Sequence, residues 1–213
     1  VKNLVSFIAP DFFGNPATGN YFGQAFYDNF CLFVGTGTLL LIFYSLFFIR
    51  KNYSILFWWF LVVFSFLLIF KNPIGIFLEK LLFLSGGVSA RAIVILDFSL
   101  ALLSAYGLDR FIKSGQSDRK KIIFAIITVG FFFLICALTA VELESIQQTV
   151  AVRNLILPLL IYFFCSLVLL AAMKFQRNCW LRCALLFLIS FQLMYSAKKY
   201  LPFSKQELLF PKT

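Results

Sequence analysis

Two ionisable residues, Arg91 and Asp97, lie in a stretch of sequence that is otherwise apolar enough to cross a bilayer. Charge inside a membrane helix costs from about 3 kcal/mol upward, so such residues usually face a protein interior or a wet cavity. A guanidinium binds phosphate bidentately, so Arg91, which follows a glycine turn, is a candidate phosphate or diphosphate contact. The alternative is that Arg91 extends to the lipid headgroups.

Asp97 has two interpretations. Its spacing from Ala101 and Ser104 puts the three residues on one helical face. A small residue and a hydroxyl beside the carboxylate predict that this face points into the protein rather than at lipid. We therefore expect Asp97 and Ser104 to be intramembrane polar residues with a structural, hydrogen-bonded role, in preference to a catalytic one.

Asp11 is the best candidate among the acidic residues outside the apolar runs. It lies in the turn-rich segment PDFFGNP. Glycosyl and phosphoryl transfer need a base over the acceptor or a carboxylate that holds a divalent metal, although most exposed acids are simply solvated. The sequence has no DxD, Walker loop, GxSxG or metal-ligand spacing. No cofactor is therefore expected, and a divalent metal has no support beyond the general chemistry.

The composition indicates a polytopic membrane protein. The 213 residues are 62% hydrophobic and 13% charged, whereas soluble domains are nearer half apolar and a quarter charged. The net charge of +10 would suggest nucleic acid in a soluble protein. Here lysine and arginine cluster at the ends of apolar runs, as they do in cytoplasmic loops, so no nucleic-acid partner is expected.

The apolar runs predict an all-α transmembrane bundle of about six spanning helices, because about 20 apolar residues cross the hydrocarbon. The predicted spans are 30–49, 54–70, 90–108, 122–141, 155–173 and 183–197. The amphipathic run 74–84 is too short to cross, and predicts a helix that lies in the interface or re-enters the membrane.

The distribution of basic residues predicts the orientation. Arg50 and Lys51, the 109–121 loop and the 174–182 loop are dense in lysine and arginine, so the positive-inside rule places them in the cytoplasm. The aromatic, glycine-rich segment 1–29, the connections 71–89 and 142–154 and the tail 198–213 then lie outside. We expect the tail to lead into a further extracytoplasmic region, and the chain to be part of a longer protein.

Several of these features resemble one family. The outer segment PDFFGNPATGNYFG, with Gly14, Asn20 and Tyr21, and the later run SARAIVILDFSLALLSAYGLDRF resemble the later half of the YfhO-like bacterial membrane proteins. That family belongs to the GT-C-type integral membrane glycosyltransferases. The motifs are of moderate specificity, because unrelated apolar helices often have similar sequences.

The resemblance implies an enzyme of the bacterial cytoplasmic membrane that moves a sugar from a polyprenyl-phosphate donor to an extracytoplasmic acceptor, such as a cell-wall polymer or glycan. It implies Arg91 as phosphate contact, Glu79 on the helix beside the donor lipid, and Asn20 and Tyr21 as further substrate-binding residues. The catalytic aspartate of such enzymes lies earlier in the chain, so this fragment alone is expected to be inactive.

Two other functions fit the same residues. A transporter or flippase segment for a lipid-linked or anionic substrate would use Arg91 and Asp97 to line its pathway. The absence of a convincing internal repeat disfavours it. A non-catalytic membrane scaffold fits everything except the elaborate N-terminal segment.

Overall fold

The computed structural model describes residues 2–23, 32–70, 72–81, 91–114, 118–175 and 179–200. Within these ranges all regular structure is helical and no strand occurs, which confirms the all-α prediction. They form the helices α1 (Thr36–Ser45), α2 (Tyr53–Ile69), α3 (Pro73–Leu81), α4 (Ile93–Ser114), α5 (Arg119–Val141), α6 (Ser145–Lys174) and α7 (Cys179–Tyr200). Short 3₁₀ helices cover Lys2–Phe7, Pro16–Thr18 and Leu46–Lys51.

Helix α1 is the centre of the bundle. All of its residues except Phe43 are buried, and it packs on α4, α5, α6 and α7. A helix without a charged or strongly polar face is stable where its whole surface is covered. Helices α4 to α7 provide this cover for α1, whereas α2 packs on α4.

Two glycines permit close contacts between α1 and its neighbours. A Cβ on Gly107 of α4 would collide with the backbone carbonyl of Leu41 in α1. A Cβ on Gly37 of α1 would come within 2.9 Å of Cys165 Sγ in α6. Small residues at such crossings let helix backbones approach closely, as is common between membrane helices.

Three helices are long and apolar enough to cross a membrane: α5, α6 and, over Cys179–Lys198, α7. A fourth span is added if α2 and α3, which meet at 97°, are counted as one bent element. Many large apolar side chains on these helices are exposed, among them Phe60, Ile127, Phe131, Leu138, Phe163 and Phe187. This is the pattern expected of helices that face hydrocarbon, so the membrane class is supported, whereas six spans are not confirmed.

Among the described residues, the predicted spans 30–49 and 90–108 do not coincide with a helix that is both long and apolar enough to cross a membrane. Within 30–49, α1 has ten residues and covers about 15 Å, half of the hydrocarbon thickness. It starts after Gly35, whose φ is +91°, and tightens into 3₁₀ geometry at Leu46. Helix α4 is long enough to cross a membrane, but it carries more charge than a simple span does. Its charged residues are Asp97, Asp109, Arg110 and Lys113.

The amphipathic run 74–84 does begin as a helix, since α3 covers Pro73–Leu81. Asn72 forms the corner: its Nδ2 donates to the carbonyls of Leu67 (3.1 Å) and Phe70 (2.7 Å), and its Oδ1 accepts from Gly75 N (2.8 Å). An asparagine that satisfies the free carbonyls of one helix and caps the next fixes a sharp bend.

The two ends of the bundle differ in character. At one end, which we call the basic end, Arg110 and Lys121 lie over the Phe48 ring, 5.6 and 4.6 Å from its centroid. Tyr44 donates to the buried Asp118 there, at 2.7 Å. The segment that ends in Arg50 and Lys51 and the 109–121 segment, both rich in basic residues, therefore meet at one end of the protein. At the other end, Phe7 of the N-terminal segment stacks on Phe66 of α2.

Candidate functional site

A polar cavity of about 370 Å³ lies at the end opposite the basic end, where the N-terminal segment covers α6 and α7. We call it the end cavity. It is lined by Pro10, Asp11, Asn15, Thr18, Asn20, Phe33, Thr149, Val150, Arg153, Asn154, Leu157, Pro158, Gln192, Tyr195 and Ser196. Its volume falls in the about 300–1,000 Å³ range of small-molecule sites.

The N-terminal wall is a tight, self-bonded loop. Asn15 Nδ2 donates to the buried Asp11 Oδ1 (3.0 Å), and Asn20 Oδ1 accepts from Asn15 N (2.9 Å) and Thr18 Oγ1 (2.7 Å). Gly14 has φ +81°, and a Cβ there would collide with the Asn20 carbonyl. Only glycine fits this position without strain, so Gly14 fixes where Asp11 and Asn20 lie.

The second wall is the first part of α6. Asn154 Nδ2 donates to the Asp11 backbone carbonyl at 2.6 Å, which ties the loop to the helix. Arg153 lies next to it along the same wall and is exposed. Pro158 has no N–H, so the Asn154 carbonyl, four residues earlier, lacks its usual helical donor.

The floor is formed where α7 meets α1. Gln192 is 1% exposed, and its Oε1 accepts from Thr36 N (2.9 Å) and Thr36 Oγ1 (3.1 Å). Thr36 Oγ1 also lies 3.4 Å from the Pro158 carbonyl. These contacts fix the amide orientation, because only an oxygen can accept from the Thr36 N–H. Gln192 Nε2 is buried and has no hydrogen-bond partner among the described residues.

The lining combines both signs of charge with many neutral polar groups. Asp11 supplies one negative charge and Arg153 one positive charge, while amides and hydroxyls supply the rest. Such a site offers donors and acceptors together without a net excess of charge. It suits a hydroxyl-rich group better than a fully charged one, since an unpaired charge in a confined site is costly.

The structure brings two of the predicted site residues into the end cavity and leaves the others outside it. Asp11 and Asn20 line the cavity. Tyr21 is half-buried and folds over Gly23, away from the lining. Glu79 is half-buried on α3, and Arg91 is exposed just before α4. The glycine turn predicted before Arg91 lies outside the described residues.

The prediction that the Asp97 face points into the bundle is wrong in its detail. The buried face of α4 carries Leu96, Ser99, Leu100, Leu103, Gly107 and Phe111. Ala101 is exposed, Asp97 and Ser104 are half-buried, and Ser104 Oγ donates to its own helix at Ala101 O (2.8 Å). Asp97 therefore lies at the edge of the packed face, where its buried Oδ1 has no partner among the described residues.

Within the described ranges, no group of three or more His, Cys, Asp or Glu side chains could hold a metal ion. Asp11, the candidate general base or metal ligand, accepts a hydrogen bond from Asn15 Nδ2.

Sequence reasoning missed Arg153, Asn154, Gln192 and Tyr195. Gln192 carries a usable signal, because it is an amide inside an apolar run, and such residues usually face other helices. Arg153 and Asn154 carry a weaker one, since they lie just before Pro158 in a segment that the hydropathy assigned to a connection.

Comparisons with protein-family models, curated proteins and solved structures found no match for this chain.

Proposed function

We propose that the chain is part of a GT-C-like glycosyltransferase of the bacterial cytoplasmic membrane, which moves a sugar from a polyprenyl phosphate to an extracytoplasmic glycan or cell-wall acceptor. The observation that carries the proposal is the end cavity, where Asp11 and Asn20 meet Arg153 in a mixed polar lining. A carboxylate among hydrogen-bonding amides is the arrangement that orients a sugar hydroxyl.

In this proposal the end cavity faces the outside and holds the acceptor side of the reaction. Asp11 accepts a hydrogen bond from the sugar, and Arg91 contacts the donor phosphate near the membrane surface. Helix α4 carries Arg110 at the basic end, so Arg91, which precedes α4, lies toward the opposite end.

The same proposal includes six spanning segments. The short α1 spans as part of 30–49 together with the 3₁₀ helix Leu46–Lys51, shielded from lipid by its neighbours. Helix α4 spans with Asp97 at the edge of the packed face. Short or irregular elements are tolerated at membrane depth when protein surrounds them.

A transporter or flippase segment is the second candidate, and Asp97 favours it. Its Oδ1 is buried with no partner in the described part of the chain. An unpaired carboxylate at membrane depth marks many substrate and ion pathways. A non-catalytic scaffold would need neither this group nor the end cavity.

The test is equilibrium binding of a radiolabelled polyprenyl-phosphate hexose to the protein in nanodiscs, for wild type, Asp11→Asn, Arg91→Ala and the control Asp109→Asn. Asparagine at position 11 keeps the oxygen that accepts from Asn15. Asp109 is exposed and pairs with Lys113 at 2.8 Å, so it tests the loss of one negative charge elsewhere.

We expect Arg91→Ala to weaken binding of this donor about 10–100-fold, the value of one charge-assisted hydrogen bond, with Asp11→Asn, which acts on the acceptor side, and Asp109→Asn unchanged. Equal affinity in all four proteins would contradict the proposed site. Movement of the labelled lipid between leaflets of proteoliposomes, abolished by Asp97→Asn, would favour the flippase instead.

A further inference from the structure

Gln192 is the group at the end cavity that the proposed function leaves unexplained. Its Oε1 is held by two donors from Thr36, so the Nε2 cannot turn away to find another partner. The atom is buried and unpaired among the described residues. A buried donor without an acceptor costs about 1–3 kcal/mol, so an amide fixed in this orientation calls for an explanation.

An acceptor and a donor lie on the same lining. Pro158 deprives the Asn154 carbonyl of its helical donor, and both residues line the end cavity with Gln192. The residues that line the cavity thus include Gln192, whose Nε2 is unpaired among the described residues, and Asn154, whose carbonyl lacks its usual helical donor. A hydroxyl group is the complement of such a pair, since its oxygen accepts one hydrogen bond while its hydrogen is donated.

We propose that the end cavity binds a neutral, hydroxyl-bearing ring of a glycan, and that Gln192 Nε2 donates to one hydroxyl oxygen of that ring. The inference rests on the proposed function, since it names the chemistry that the acceptor side recognises. Gln192 is the specificity residue, and Thr36 is its positioning residue.

The charges around the cavity favour a neutral ligand over an anion. The charged residues of the lining are Asp11, whose carboxyl group is buried, and Arg153, which is exposed, while Gln192 contributes a neutral amide. An anion at this buried amide would be desolvated, which is costly. Gln192 Nε2 is covered in this structure, so the ring reaches it when side chains at the floor change rotamer.

The test measures binding of methyl glycosides of glucose, galactose, mannose and N-acetylglucosamine to the protein in nanodiscs, by saturation-transfer NMR titration. The best binder is then compared with its monodeoxy analogues. Gln192→Glu keeps an oxygen for Thr36 but removes the donor. Gln148→Glu, half-buried on α6 outside the lining, is the matched control.

We expect one monodeoxy analogue to bind wild type at least tenfold more weakly than the parent glycoside. Gln192→Glu should bind the parent glycoside at least tenfold more weakly than wild type does, and should bind that analogue as wild type does. Gln148→Glu should bind the parent glycoside with the affinity of wild type. A site built to bond a hydroxyl rejects the analogue that lacks it.

Three results would overturn the inference. The first is a glycoside that binds Asp11→Asn more weakly than wild type but binds Gln192→Glu equally well. That result would contradict the role of Gln192 and would still support the proposed glycan site. The second is competition by inorganic phosphate, or no binding by any glycoside; the donor-lipid experiment then judges the proposed function separately. The third is equal affinity of the wild-type protein for every monodeoxy analogue. This measurement needs only wild type, so it remains decisive even if Gln192→Glu does not fold.

Discussion

Gly14→Ala tests how the N-terminal wall of the end cavity is held in place. Gly14 and Gly19 both have positive φ, +81° and +68°. Alanine in left-handed geometry costs about 1–2 kcal/mol at either position. The two glycines differ in their surroundings, because a Cβ at Gly19 meets nothing within 4 Å, whereas at Gly14 it collides with the Asn20 carbonyl.

The collision adds a second cost at Gly14 alone. Overpacking of a close contact costs typically about 1–3 kcal/mol. We therefore expect Gly14→Ala to destabilise the loop by about 1–3 kcal/mol more than Gly19→Ala does. This difference corresponds to about 5–150-fold more frequent local opening.

The assay is hydrogen exchange with mass spectrometry on peptides that cover residues 9–23. The amides to follow include Phe22, which donates to Phe13 O at 2.9 Å, and Gly14, which donates to Asp11 O at 2.9 Å. Exchange should rise in both variants, about 5–150-fold further in Gly14→Ala than in Gly19→Ala, with α5 and α6 unchanged in both. Equal exchange in the two variants would refute the argument that the Asn20 contact fixes the loop.

Two further predictions concern helix packing, both measured as the thermal unfolding midpoint Tm in detergent. Tyr44→Phe removes a hydrogen-bond donor from the buried Asp118 at the basic end and should lower the free energy of unfolding by about 1.5–3 kcal/mol. The control Tyr106→Phe should change Tm little. Equal Tm in both variants would show that the bond to Asp118 is not stabilising. Gly107→Ala should destabilise by about 1–3 kcal/mol, because its Cβ meets the Leu41 backbone; a Tm that does not fall would contradict the α1–α4 contact.

The long apolar helices could be predicted from the sequence because hydropathy acts locally. The predicted span 122–141 corresponds to α5, Arg119–Val141. The predicted span 155–173 falls inside α6, which begins ten residues earlier at Ser145. A polar stretch that continues a helix beyond its apolar part has no hydropathy signal, so hydropathy alone predicts a connection at 142–154.

The short central helix could not be predicted in this way. The run 30–49 is free of charge, as a span would be, and the burial of α1 distinguishes it from a lipid-facing helix. Its start depends on the backbone of Gly35, and its end on a change to 3₁₀ geometry. Both depend on neighbouring helices that are distant in the sequence.

The candidate site was predictable where its residues are close together in the chain. Asp11 and Asn20 belong to one turn-rich loop, and the turn residues indicated an ordered structure. The bond between Thr36 and Gln192 joins residues 156 positions apart. No periodic pattern encodes a contact of that range, so the floor of the cavity appears only once the helices are packed.

The most direct test of the proposed glycan site is photo-crosslinking with a diazirine-bearing glycoside in nanodiscs, followed by peptide mapping. The account predicts crosslinks in the three segments that line the end cavity, around residues 10–20, 149–158 and 192–196, and loss of these crosslinks in excess unlabelled glycoside. Crosslinks confined to the basic end, around Arg110 and Lys121, or unaffected by the unlabelled glycoside, would contradict it.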